Sequence, residues 1–240
     1  MALKFIRHFF SELPSTQLLL QEWAAASSLP EGTLIWTGHQ TSGYGRNGTP
    51  WYASPGESLT FSFIIYPSLA PGNLTAQTAL ALYDTLFPFA QDTLFIKWPN
   101  DLWCTQGKVA GILIEVRWKG NHPTMALIGI GINVYQTSFP AHLKAASLAQ
   151  LGSAPPSLEK LLDSFEKAFS NWYTAPEEQI RTHFLQRLRR EGLFLIAQRE
   201  VEGTITDWSP TGWIEVTTPS EVLRLPASDL RIAWPRTSSS

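Results

Sequence analysis

A chain of 240 residues with 44% hydrophobic side chains has enough apolar material for one sizeable core and a small accessory module. Eighteen basic residues against twenty acidic ones give a formal charge of −2, and no basic run breaks the balance, so nucleic acid is not an expected partner. A single cysteine, Cys104, excludes an internal disulfide and a multi-cysteine metal site and reads as an inert, semi-buried thiol.

The apolar stretch Met1 to Phe10 holds Lys4, Arg7 and His8, so it is no signal peptide. No run approaches the ~18 apolar residues that span a bilayer. A cytoplasmic protein with no membrane partner is therefore expected. Ser58 to Tyr66 alternates, with Leu59, Phe61, Phe63 and Ile65 on one face and Ser58, Thr60 and Ser62 on the other, which predicts a half-buried strand. Asn73 to Phe87 reads as a helix, with Asn73 as its cap and Pro88 as its stop. Thr93 to Lys97 is a short strand. Val109 to Trp118 and Met125 to Tyr135 are longer strands, joined into a hairpin by the turn Lys119 to Pro123. Helices over Ser157 to Tyr173 and Glu177 to Arg190 are split by Pro176. After Gly192 the pattern shortens to Ala197–Thr206, Trp213–Thr217, Val222–Leu225 and Leu230–Trp234. The turns Ser209 to Gly212 and Pro219-Ser220 separate these pieces, which together suggest a small barrel of about 45 residues.

Four segments carry chemistry-bearing residues. Gly38 to Trp51 holds four glycines in fourteen residues, with Arg46 as its only full charge. Such a loop brings backbone close to a ligand and exposes amide N–H groups to an anion, although a plain surface loop has the same composition. In Lys97 to Trp103 a strand runs into Pro99, so Asn100 and Asp101 project at a strand end, as they also do in an ordinary turn. Lys108 stands before an apolar strand, where lysines are commonly just solvated, and Gly111 inside that strand suggests something packed close to the backbone. In Ile128 to Val134 the isoleucines share one face, and Gly129, Gly131 and Asn133 share the other. That bare face suits a flat ligand or the close approach of another element.

In their order and spacing these segments resemble the biotin protein ligases across nearly the whole chain. The matching pieces are Ser15-Thr16-Gln17, the loop Gln40 to Trp51, Lys97 to Lys108 with its KWPND, Gly111, and the strand Gly129 to Asn133. KWPND followed, eleven residues after its lysine, by GK-x-AGIL is highly specific to that family. The resemblance implies an α+β fold: a mixed sheet flanked by helices over residues 1–191, an SH3-like barrel over 192–236, and a disordered tail over 237–240. Ser15-Thr16 opens the catalytic motif almost at once, so a short monofunctional ligase without an N-terminal DNA-binding domain is expected.

It further implies that ATP and biotin are the substrates, with Mg²⁺, and that a biotin carboxyl carrier domain is the acceptor. Family members pair through the open edge of the catalytic sheet, which leaves a homodimer open here. Ser15, Thr16 and Gln40 would hydrogen-bond the ureido ring of biotin, with Gln17 beside them. Gly129 and Gly131 would form the floor, next to Gly111. Gly43, Tyr44, Gly45 and Arg46 would close over biotin and the adenylate. Lys108 would bridge the biotin carboxylate and the α-phosphate, sharing the catalytic role with Arg46. Trp51, Asn100, Asp101 and Asn133 would make the ATP end, with Asn133 reading the adenine and Asp101 helping to hold Mg²⁺. One departure stands out: where the family loop reads Gly-Arg-Gly-Arg, this one reads Gly43-Tyr44-Gly45-Arg46. The alternatives are a lipoate or octanoate ligase of the same fold, which lacks the KWPND and G-x-G-R pattern, and a catalytically silent biotin-binding protein.

Overall fold

The computed structural model describes residues 3–67, 71–90, 93–152, 154–196 and 198–233. The expected tail at 237–240 lies outside them, as do Ala197 and Trp234. No helix among the described residues is long and apolar enough to cross a membrane.

Seven strands form the main sheet: β1 (Ile6–Phe10), β2 (Thr33–Thr37), β3 (Ser58–Ile65), β4 (Phe95–Lys97), β5 (Asp101–Trp103), β6 (Lys108–Lys119) and β7 (His122–Asn133). Their order is β1-β2-β3-β7-β6-β5-β4. β1 and β2 run parallel and every other neighbouring pair is antiparallel, so the sheet is mixed. β6 and β7 are the expected hairpin, turned at Gly120 with φ 60°.

Four helices flank the sheet: α1 (Thr16–Ala26), α2 (Pro71–Ala90), α3 (Leu158–Tyr173) and α4 (Glu177–Arg187). On one face Phe61, Phe63, Ile128, Ile130 and Ile132 join the main core with Leu80, Phe165 and Phe169 of α2 and α3. Edge-to-face ring pairs fix α3, with Phe61–Phe165 and Phe63–Phe169 centroids each 4.9 Å apart. On the other face Leu20 of α1 packs with Ile35, Ile64, Met125 and Leu127 in a smaller cluster. That cluster covers only one end of the face.

Three expectations are corrected here. β3 is buried along its whole length rather than half-buried. Its polar side is shielded because each hydroxyl finds a partner: Thr60 Oγ1 donates to Thr37 O at 3.1 Å, Ser62 pairs with Thr16 at 2.9 Å, and Ser58 accepts from Gln136. α2 begins at Pro71 and continues two residues past Pro88, which has no N–H for the carbonyl one turn back, so the loss is confined to the helix's final turn. Asn73 is not its cap; its amide donates to Glu177 at 3.1 Å.

The C-terminal strands β8 (Glu191–Ile196), β9 (Arg199–Ser209), β10 (Trp213–Thr217), β11 (Val222–Pro226) and β12 (Leu230–Ala233) form an antiparallel sheet ordered β11-β10-β9-β8-β12, in the expected SH3-like arrangement. Its buried Phe194, Ile205, Trp208 and Ile214 belong to the same apolar core as the main sheet. Phe184 is the joint, 5.0 Å from Trp208 and 6.1 Å from Trp98 by ring centroid. Arg181 closes the rim on Asp207 at 2.6 Å. Phe184→Ala should therefore destabilise the whole chain by about 3–5 kcal/mol, the usual loss for a buried aromatic. Denaturant titration reads this directly, and a loss under ~1 kcal/mol would contradict a shared core.

Candidate active site

The uncovered end of the α1 face is a trough. Thr60, Gly131, Gly111 and Asp101 stand abreast on β3, β7, β6 and β5, and Ser62, Gly129 and Leu113 form the next row. Partners in register point to the same side, so two glycines occupy the middle of one row and a third the middle of the next. The resulting cleft has a volume of about 220 Å³.

Each glycine makes room for a particular side chain. A Cβ on Gly129 would meet Gln17 Oε1 at 2.7 Å, and one on Gly131 would meet the Trp51 indole at 2.4 Å. A Cβ on Gly111 would strike the Lys108 chain at 2.8 Å. The bare face is thus approached by another part of the chain, the Trp51 indole, where a flat ligand was the other expectation. Its indole N–H is buried without a partner.

At one end of the cleft lies the N-terminus of α1. Ser15 is its cap, accepting from Leu18 N at 3.4 Å. Gln40 Oε1 accepts from Thr16 N at 2.7 Å and Thr16 Oγ1 at 3.0 Å. Ser15, Thr16, Gln17 and Gln40 all line this end, and the first three are buried. Gly43 is not in the lining; it sits behind Gln40, whose amide would meet a Cβ there at 2.7 Å.

The glycine-rich loop is a miniature hairpin. Asn47 at φ 57° and Gly48 at φ 71° turn it, and Tyr44 bridges Pro50. Paired left-handed residues in Asn-Gly order are the sequence signature of such a turn. Gly45 N donates to Thr49 O at 2.7 Å, Gly48 N to Gly45 O at 3.2 Å and Trp51 N to Gly43 O at 2.9 Å. These amides are spent within the loop, which corrects the expectation that they would cradle an anion. What the loop offers instead is side chains: Tyr44, Arg46 and Trp51 line the cleft.

The far end is charged. Arg46 reaches across to Asn100 Oδ1 at 3.3 Å, and Asn100 is itself held by donating to Ile112 O at 2.6 Å. Lys108 Nζ lies 2.7 Å from Asp101 Oδ1, a charge contact between largely buried groups rather than a directed hydrogen bond. Lys97 sits over the Trp103 ring at 4.2 Å. Burial pulls its ammonium below the ordinary lysine range; Asp101 opposes that shift, and Lys108 and Lys144 add to it. This gathering of cations around one carboxylate joins residues distant in the chain and was not anticipated for Lys97 or Lys144. Among the described residues no cluster of three or more His, Cys, Asp or Glu side chains is placed to hold a metal by itself.

Asn133 is not in the lining. Its amide donates to Lys108 O and Ala146 O, each at 3.1 Å, and so clamps the segment at Ala146 to the start of β6. With both donors committed there, the structure gives it a structural place rather than one facing a base. The cleft therefore runs from a neutral polar end, through a glycine and indole middle, to a cationic end with one carboxylate.

Gly131→Ala should displace the Trp51 indole without unfolding the chain. An emission change on Gly131→Ala that disappears when both proteins carry Trp51→Phe is the expected result. A change of equal size in both backgrounds would show that Trp51 does not rest on Gly131.

Residues 9–133 match the Biotin/lipoate A/B protein ligase family. The bifunctional ligase/repressor BirA of Bacillus subtilis is 34% identical over 173 residues, which cover 68% of this chain and 53% of that protein. The biotin–[acetyl-CoA-carboxylase] ligase of Paracoccus denitrificans is 33% identical over 181 residues, 66% of this chain and 72% of its own length. The chain thus spans about half the length of the Bacillus relatives it matches. Among solved structures, biotin protein ligase from Aquifex aeolicus in complex with biotin and ATP superposes with a TM-score of 0.79 at 24% identity, covering 95% of this chain and 99% of that one.

Proposed function

The chain belongs to the Biotin/lipoate A/B protein ligase family, and from that premise we propose that it activates biotin with ATP to biotinyl-5′-AMP and transfers the biotinyl group to a lysine of a biotin carboxyl carrier domain. The observation that carries this is the order of chemistry along the cleft. Polar side chains at Thr16, Gln17 and Gln40 suit the ureido head, the surface of Gly131 and Trp51 suits an aliphatic chain, and Lys108 and Arg46 suit a carboxylate meeting a phosphate. Lipoate fits less well: its dithiolane carries no hydrogen-bonding head, so the buried amide oxygen of Gln17 would stay unpaired, and sites built for such groups reject ligands that lack them.

The reaction joins two anions. The biotin carboxylate attacks the α-phosphate, pyrophosphate leaves, and an acyl phosphate anhydride remains. Charge builds on the phosphorus oxygens, so Lys108, released from Asp101 by the incoming anions, is the group to stabilise it. Asp101 and Asn100 are the residues that would hold Mg²⁺, which supplies charge neutralisation on the triphosphate; one carboxylate is enough where substrate phosphates complete the shell. The hairpin at Gly43 to Trp51 keeps water from the anhydride. In the second step the acceptor amine attacks the acyl carbon and AMP departs. None of this requires a covalent nucleophile. For pairing of two copies through the sheet the edge strand β1 offers Ile6 and Phe9, exposed at 39% and 59%.

Incubating the protein with ATP, biotin and a carrier domain, then probing the carrier with streptavidin, tests the assignment. An unlabelled carrier lysine would overturn it. Lys108→Ala should slow adenylate formation by about a hundredfold or more in single turnover, the usual cost of one transition-state donor, with the melting temperature unchanged. A rate near wild type would remove Lys108 from the chemistry.

Arg46→Gly should instead loosen retention of the adenylate. A charge-assisted hydrogen bond is worth roughly 1.5–3 kcal/mol, which is about ten- to hundredfold faster escape. Escaped adenylate acylates any lysine, so a bystander protein should become biotinylated. Bystander labelling equal to wild type would show that Arg46 does not hold the intermediate.

A further inference from the structure

Glu115 lies on β6, two rows beyond Gly111 on the same face, opposite Leu127 of β7. No step above uses it. One of its oxygens, Oε2, accepts from Gln17 Nε2 at 2.7 Å and from Gln21 Nε2 at 2.5 Å. Gln17 and Gln21 are one helical turn apart on α1, so both amides descend onto the same carboxylate. Gln17 Nε2 also donates to Leu127 O at 3.3 Å.

These contacts fix which way the Gln17 amide points. A carboxylate and a backbone carbonyl only accept hydrogen bonds, so the end of Gln17 that meets them must be its NH₂ group. Oε1 is thereby turned the other way, onto Gly129, where a Cβ would come within 2.7 Å of it. There it is buried without a donor, in a side chain only 3% exposed that lines the cleft. A buried amide oxygen held in this way is a vacant acceptor for an N–H.

The same carboxylate reaches the loop. Partial burial and then the Glu115 charge raise the Tyr44 hydroxyl above its ordinary range, and Gln21 opposes them. Tyr44 stands where the resembling loops carry arginine. A neutral phenol there puts no second cation beside the head end.

We propose that Glu115 is a positioning residue that holds Gln17 with its amide oxygen toward the ligand, so that the head end of the cleft accepts an N–H. The proposal rests on the biotin reading above, since a ureido ring supplies such donors and a carbonyl-only or apolar head does not. If Glu115 were glutamine, either end of its amide could face Gln17, and only the longer contact to Leu127 O at 3.3 Å would still orient Gln17.

The test is a double-mutant cycle on biotin binding by calorimetry with the full chain, using wild type, Glu115→Gln, Gln17→Ala and the double variant. Glu115→Gln should weaken biotin binding about tenfold, the scale of one net hydrogen bond. Gln17→Ala should do the same, and the double variant should bind no more weakly than Gln17→Ala alone. A purely structural role for Glu115 would not give that non-additivity. Glu115→Asp keeps an acceptor-only group on a shorter arm. It should weaken binding less, again only when Gln17 is present, and it takes the place of Glu115→Gln in the cycle if that variant does not fold. Wild-type affinity in Glu115→Gln, or losses that multiply to about a hundredfold in the double variant, would overturn the proposal while leaving the biotin reading standing. Absence of biotin binding by the wild type would overturn both.

Discussion

Gly111 and Gly131 face each other across the β6–β7 pair, and a Cβ on either would collide with Trp51 or Lys108 at under 3 Å. Gly129, one row along, is kept bare by Gln17 in the same way. Everything else in the cleft depends on these vacancies. They let an amide, an indole and a lysine chain lie against the sheet backbone, where side chains would otherwise hold them several ångströms away. Interior glycine costs a strand roughly 0.5–1 kcal/mol, and three of them occupy the middle of the sheet.

The opposite face offsets that cost. Ile112, Ile128, Ile130 and Ile132 alternate with the glycines and are fully or almost fully buried against α2 and α3. The same strands therefore present a rigid aliphatic layer on one side and an open floor on the other. α1 closes only the end of the floor, with Leu20 over Ile64 and Leu127, and its N-terminus delivers Ser15, Thr16 and Gln17 to the edge of the opening. The site is thus an unfinished part of a core, bounded by a helix start at one end and a charged strand end at the other.

This division was legible in the sequence where it was local. The Ile/Gly alternation of Ile128 to Val134, the turn at Pro99 and the interior Gly111 all mark the trough in the sequence itself. What was not legible was whatever depended on distant partners. Gln17 and Glu115 are 98 residues apart, and neither local spacing nor residue type announces that one orients the other. Asn133 shares a face with Gly129 and Gly131, which suggested a ligand contact, yet the chain at Ala146 folds back and takes its donors. The Gly45, Gly48 and Trp51 amides look free for an anion by composition alone, whereas the local Asn47-Gly48 order is the signal that the loop turns onto itself. β8 was missed because it crosses Gly192, the point where the pattern changes. β2, five residues with three apolar ones between two threonines, gives no alternation to read because it is covered on both faces.

The central claim is that one cleft brings a biotin carboxylate and the α-phosphate of ATP together at Lys108. Isotope exchange between pyrophosphate and ATP, catalysed by the purified protein without any acceptor, tests it most directly, because exchange requires reversible formation of the adenylate. The account predicts exchange that depends on biotin and is not supported by lipoate or octanoate. Exchange driven by lipoate, or none with biotin and Mg²⁺–ATP both present, would contradict it.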